Sequence, residues 1–144
     1  MDIRKLREAD LPALAALYKQ FKGDDSSLEA MRATFARIAD SPDYAVLVAE
    51  VEGRLAGSAM GIVCAELYGQ CRPFLVIEDV IVDADHRRLG VGTALMNALE
   101  DFARATDCHY MMLVTDADRT WAHNFYASLG FGRDTHRGFK KRLP

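Results

Sequence analysis

Two adjacent carboxylates, Glu78 and Asp79, stand inside the otherwise apolar run Phe74–Val82. A carboxylate among apolar side chains is strongly disfavoured unless a cleft or a cation receives it. At least one of the pair must therefore meet such a partner, and Glu78 is the candidate acid–base group. If the run is a strand, side chains alternate and the two carboxylates point to opposite sides of the sheet. A strand that meets solvent here, or a structural ion pair, is the rival reading for Glu78 and the favoured one for Asp79. Downstream comes Arg87-Arg88-Leu89-Gly90-Val91-Gly92-Thr93, between that run and a helical pattern. Glycines at a helix start let the backbone approach a ligand, and the first N–H groups of the helix attract anions such as a pyrophosphate. His86, Arg87 and Arg88 add positive charge to that reading; a ligand-free helix start is its rival. The spacing departs from a dinucleotide fingerprint, because Leu95 stands where the third glycine would fall, and no Gly-Lys-Ser/Thr follows to make a P-loop. A third feature is Ala122-His123-Asn124-Phe125-Tyr126-Ala127-Ser128-Leu129-Gly130-Phe131. Phe125, Leu129 and Phe131 read as core contacts. Tyr126 lies about 100° round a helix from Phe125, which aims its hydroxyl at a cleft or packs its ring, and spacing alone favours packing.

The elements that position these residues follow from periodicity. Residues 1–6 alternate loosely as an opening strand. Asp10 precedes the stripe Leu11, Leu14, Leu17, Tyr18 and Phe21, with Gly23 behind, which predicts a capped helix. Ser26-x-x-Glu29 fits a capping box for a second helix with Leu28, Met31, Phe35 and Ile38 on its face, stopped by Ser41-Pro42. Tyr44–Val51 and residues 55–68 read as a hairpin around Glu52-Gly53, with Gly57 and Gly61 marking bulges or close packing. Phe74–Val82, apolar at nearly every position, reads as a strand buried on both faces at the centre of a sheet. A helix follows from Val91 through Leu95, Leu99, Phe102 and Ala103, then a buried strand over 110–115. A helix over 120–129, closed by Gly130, precedes one or two closing strands over 131–143. The order β-α-α-β-β-β-α-β-α-β predicts an α/β (α+β) domain: a mixed sheet with helices on its faces.

Composition bounds the function. The 144 residues suffice for one sizeable core and not two ordinary domains, so the expectation is a single domain over 1–144. Half the residues are apolar and 27% are charged, the balance of a folded soluble chain. The net charge of −3 argues against non-specific nucleic-acid binding. No apolar stretch approaches a bilayer span, and Asp2, Arg4, Lys5 and Arg7 leave no secretory h-region, so no membrane role and a cytoplasmic location are expected. Cys64, Cys71 and Cys108 form no C-x-x-C pair or metal-ligand spacing, which points to inert thiols and no metal. Five basic residues and one acid crowd positions 133–142, read as a guarded edge strand or an anion-attracting patch.

Taken together, the segment from Glu78 to Leu95 resembles the acetyl-CoA-binding segment of the GNAT superfamily of N-acetyltransferases, whose Arg/Gln-x-x-Gly-x-Gly/Ala pattern Arg87, Gly90 and Gly92 fill. The string Phe125-Tyr126-x-x-Leu129-Gly130-Phe131 resembles the family's closing signature, in the right order and at the right separation. The Arg-x-x-Ala-His-x-Phe-Tyr form is similar to a subset that includes aminoalkylphosphonate and other small-amine acetyltransferases. The resemblance implies the GNAT fold, a mostly antiparallel central sheet splayed at a cofactor cleft with helices on both faces. It implies acetyl-CoA as co-substrate. The pantetheine arm would lie along Val80, Ile81 and Val82, and the pyrophosphate on the amides of Arg88, Leu89, Gly90, Val91, Gly92 and Thr93, with Arg87 and Arg88 lending loop structure and surface charge to the same cofactor site. It further implies direct acetyl transfer to a primary amine of a small molecule, with Glu78 as base through a water and Tyr126 as acid. Many members carry a cofactor-contacting Asn where this chain has Arg119, which takes that place as a candidate with a surface salt bridge as its alternative. In the family the acceptor is chosen largely by the first two helices and the last strands. A protein or peptide acceptor, or a non-catalytic acyl-CoA-binding regulatory module, are the competing readings. Dimers are frequent in the family, which makes a homodimer the expectation.

Overall fold

The computed structural model describes residues 1–144 and divides into two compact units, Met1–Met112 and Leu113–Pro144. In the first, the stripe Leu11, Leu14 and Leu17 forms the buried face of helix α1 (Leu11–Lys22), which ends at Gly23 with φ 80°, a conformation that glycine adopts without a Cβ clash. Helix α2 (Leu28–Ile38) starts one residue later than the Ser26 box predicts. Ser27 is the extended residue before the first helical one, and its Oγ accepts from the Ala30 N–H at 3.2 Å. Asp10 does not cap α1 with its side chain, because a cation claims the carboxylate first. Its oxygens accept from the Arg4 guanidinium at 2.7 and 3.0 Å and from the Arg7 N–H at 2.7 Å, while Glu50 holds the same guanidinium at 2.8 Å. Charge-assisted bonds of this kind are stronger than a neutral cap.

Five strands form one sheet in chain order: β1 (Asp2–Lys5), β2 (Tyr44–Val51), β3 (Arg54–Cys64), β4 (Phe74–Val82) and β5 (Met111–Met112). The first three pairings are antiparallel and β4–β5 is parallel, connected through helix α3 (Val91–Ala105). This is the mixed, mostly antiparallel architecture expected from the element order. Val48 packs with Leu6, Leu11 and Leu14 on the α1/α2 side, and Val46, Tyr18, Leu28, Met31 and Phe35 pack against that cluster. The alternate positions of β2 and β3 face α3, where Leu95 and Leu99 are fully buried. Gly57 and Gly61 mark close packing there. A Cβ on Gly57 would come within 2.8 Å of the Ile81 carbonyl oxygen and 2.9 Å of Val91 Cγ1.

Three strand expectations are corrected. β4 is next to last, not central, and its burial is interrupted: Leu75, Ile77 and Ile81 are buried while Glu78 is exposed. The strand read over 110–115 shrinks to Met111–Met112, and Val114 beyond it is exposed; apolar residues make a strand only while a neighbour pairs their backbone. Residues 131–143 form no strand, so the guarded edge strand at 133–142 is absent too. Five basic side chains leave that segment no apolar face, and Phe139 and Leu143 are exposed, so no burial offsets the entropy of ordering it. The second unit contains helix α4 (Thr120–Ser128) and otherwise irregular chain. No helix is long and apolar enough to cross a membrane.

The tight seat of Gly57 gives a direct check. Gly57→Ala is expected to lower stability by about 1–3 kcal/mol through overpacking, read as a shift of the denaturant midpoint.

Candidate active site

The site in the first unit is built around an irregularity in β4. Met60 pairs with Glu78 and Ser58 with Ile81, so Asp79 and Val80 together oppose only Ala59. Asp79 takes φ 50°, a left-handed conformation uncommon for a side-chain-bearing residue, and this inserts a bulge. The extra residue breaks period two. Ile77, opposite Gly61, faces α3, whereas Ile81, opposite Ser58, faces the α1 side. The opposite-face expectation for the two carboxylates is therefore wrong. Glu78 is aligned with Met60 and, through it, with Val46 on the α1/α2 face, and the Asp79 carboxylate reaches Lys22 of α1 at 3.2 Å.

Beyond Val76, β4 has no strand partner on its β5 side, because β5 pairs only with Leu75 and Val76. Ile77–Val82 therefore carries an open edge of backbone donors and acceptors, which includes Val80, Ile81 and Val82. An extended, amide-bearing ligand can add to such an edge as a strand would.

This edge leads into a short 3-10 turn, Ala84–His86, and then to the glycine loop. Arg88 has φ 61° and Gly90 φ 80°, so the chain turns left-handed twice before α3 begins at Val91. A Cβ on Gly90 would meet nothing within 4 Å, which leaves the approach to the helix start open. The N–H groups of Val91, Gly92 and Thr93 belong to the first turn, where no intrahelical acceptor exists. Leu89 is exposed, and Arg87 and Arg88 are exposed as well. The structure thus fits a pyrophosphate-bearing co-substrate at this loop: open space, oriented amides and a positive helix end.

Sequence reading missed what anchors the loop. Gln20 of α1 donates from Nε2 to Asp83 Oδ1 at 2.8 Å and accepts from the Ala84 N–H on Oε1 at 3.1 Å. The other oxygen of Asp83 accepts from His86 Nδ1 at 2.6 Å. Gln20, and His86 to a lesser degree, hold the Asp83 carboxyl below the usual carboxylate range. Nothing in local sequence marks Gln20, since its partners lie more than 60 residues away. Nor does any signal foretell a left-handed Asp79.

In the second unit, Tyr126 is half-buried, with its ring tilted against Phe125 at 5.1 Å and edge-on to Phe131 at 6.0 Å between centroids. Burial raises the phenol above its ordinary value, and the charge of Arg119 opposes that rise. The phenol therefore keeps its proton at neutral pH. Arg119 precedes α4 with its guanidinium 4.7 Å from the centre of the Trp121 ring, a cation–π contact. The Phe131 N–H closes the helix on the Tyr126 carbonyl at 3.2 Å, and Gly130 turns with φ 91°.

Residues 11–131 match the family model described as Acetyltransferase (GNAT) family. The chain is 33% identical over 134 residues to glucosamine 6-phosphate N-acetyltransferase 1 of Oryza sativa subsp. japonica, covering 90% of this chain and 79% of that protein. A putative acetyltransferase from Agrobacterium tumefaciens str. C58 superposes with a TM-score of 0.91 and 27% identity over 99% of this chain and 100% of that one. An aminoglycoside N-acetyltransferase solved in complex with CoA shares the fold at a TM-score of 0.82 and 24% identity, over 99% and 93% of the two chains. The chain belongs to the GNAT acetyltransferase family and is an acetyl-CoA-dependent N-acetyltransferase.

The Asp83 anchor predicts a pH dependence. Its folded pKa is lowered, so its contribution is fully present above the unfolded value of about 3.9 and is lost as pH falls through the lower folded value. Asp83→Asn is expected to flatten the fall in Tm below about pH 4, measured by thermal melts across the acid range.

Proposed function

We propose that this protein transfers the acetyl group of acetyl-CoA to a primary amine of a small molecule by direct attack, in a site centred on the β4 bulge. The observation that carries this reading is the continuity of β4: an exposed carboxylate at the bulge, an open backbone edge beyond it, and an anion-binding loop at its end. The edge at Val80, Ile81 and Val82 suits the amide-bearing pantetheine arm. The amides of Arg88, Leu89, Gly90, Val91, Gly92 and Thr93 suit the pyrophosphate, and the exposed Arg87 adds positive charge beside them. Arg119 takes the place of the Asn found in many members as a further cofactor contact.

Acetyl-CoA supplies an activated acyl thioester, and the chain's own groups manage protons. An alkylammonium titrates near the lysine value of about 10.4, so it must lose a proton before it can attack. Glu78, exposed at the bulge, takes that proton through a water. A backbone N–H released from the ladder at Val80 or Ile81 polarises the thioester carbonyl. By its place in the family's closing signature, Tyr126, whose phenol burial keeps protonated, is the acid proposed for the departing thiolate. The relative that acts on glucosamine 6-phosphate supports a small, polar amine as acceptor, and the basic residues at 133–142 would suit one that carries an anionic group.

An amine panel that includes amino-sugar phosphates and a lysine peptide, with free thiol as readout, tests the activity. Turnover on small amines supports it, and CoA binding without turnover on any amine overturns it. Tyr126→Phe is expected to lower kcat by about 10²-fold or more with little change in acetyl-CoA affinity; unchanged turnover would remove Tyr126 from the reaction. Glu78→Gln is expected to shift the rising limb of the pH–rate profile, and a profile identical to wild type would place the base elsewhere.

A further inference from the structure

The chain has five lysines, and Lys22 alone is drawn to the β4 bulge. It occupies the last turn of α1, with Nζ 3.2 Å from Asp79 Oδ1. Asp79 is the inserted residue of the bulge and the immediate neighbour of Glu78. The two ends of this ion pair differ in freedom: the Lys22 side chain is 56% exposed, while that of Asp79 is 29% exposed. A surface pair of this kind holds loosely, so the amine can leave the carboxylate and swing on a four-carbon stem. Lys19, one turn earlier, reaches a different carboxylate, that of Asp25, at 2.8 Å. Burial first, and the nearby Asp79 charge second, push the phenol of half-buried Tyr18 up, so Tyr18, Lys22, Glu78 and Asp79 converge on one face of the bulge.

We infer that Lys22 is an acetylation site of the protein's own making: in the absence of another acceptor, its amine enters the reacting position and is acetylated. The inference rests on the proposed role of the bulge as the acyl-transfer site. In the step, the Lys22 ammonium yields a proton to Glu78 through water, and neutral Nζ forms a bond to the thioester carbonyl carbon. The carbon–sulfur bond breaks, the second amine proton is lost, and the leaving thiolate is protonated to free CoA. The product is a neutral amide that no longer pairs with Asp79, so the carboxylate is released beside Glu78. A cationic acceptor arriving later then meets an unpaired acid where the unmodified protein presents a lysine.

The test uses the purified full chain with acetyl-CoA and no added amine, followed by peptide mapping of acetyl groups. Acetyl is expected on Lys22 with a first-order rate independent of protein concentration, while Lys5, Lys19, Lys140 and Lys141 remain largely unlabelled. Glu78→Gln is expected to slow labelling of Lys22 by about 10²-fold, and Lys22→Arg to abolish it. Without turnover, CoA alone is expected to protect Lys22 severalfold from an amine-reactive ester while leaving Lys5 and Lys140 unprotected. Acetyl spread over all exposed lysines, a Lys22 rate untouched by Glu78→Gln, or no protection by CoA would overturn the inference. The thiol-release assay run in parallel separates the two readings. Turnover on added amines without acetyl on Lys22 sinks this inference alone, whereas no turnover on either sinks the acyl-transfer site with it.

Discussion

One inserted residue in β4 governs the arrangement of the first unit. Because Asp79 and Val80 share a single partner across the ladder, the faces of β4 exchange at that point, so that Ile77 packs toward α3 and Ile81 toward α1. An uninterrupted strand would put Glu78 and Asp79 on opposite sides of the sheet and keep every backbone group in the ladder. The bulge instead turns both carboxylates toward one face and interrupts the ladder at Asp79 and Val80. The cost is a left-handed Asp79, of the order of 1–3 kcal/mol for a residue of this kind. The ladders on either side, from Met60–Glu78 to Cys64–Phe74 and at Gly57–Val82, hold it in place.

The second constraint is the early departure of β5. Two residues of parallel pairing suffice to define the sheet edge, and beyond them β4 is left with unpaired backbone. In a protein without a ligand for that edge it would invite aggregation. Here it joins directly to a loop whose left-handed residues and helix start favour an anion, so one strand and its continuation present complementary sites for an extended amide chain and a phosphate group.

Helix α1 is tied to this strand at two levels. Lys22 meets the bulge, and Gln20 clasps the turn that follows the strand through Asp83 and Ala84. Movement of the C-terminal turn of α1 therefore acts on both the carboxylate pair and the anion loop. The apolar seam of Leu11, Leu14 and Leu17 keeps the helix in register, while its polar edge does the tethering.

Much of this was legible in the chain alone. Period-two alternation placed β2 and a near-continuous apolar run placed β4, both to the residue, helical spacing placed α1, α3 and α4 to within a residue or two, and the glycine pattern identified the loop. Those features are local: side-chain periodicity and the conformational freedom of Gly90 act over a few residues. The failures have one origin, which is that pairing and charge are settled by partners distant in sequence. The apolar stretch at 110–115 looks like a buried strand, yet only two of its residues find a neighbour. Asp10 looks like a helix cap, yet Arg4 and Arg7 take its oxygens. The sequence by itself determined the family, the sheet-and-helix order and the residue types of the site. Only the tertiary structure decided that Glu78 and Asp79 share a face, that Gln20 anchors the loop and that Lys22 reaches the bulge. Each of these depends on a register shift or a contact across more than 50 residues of chain.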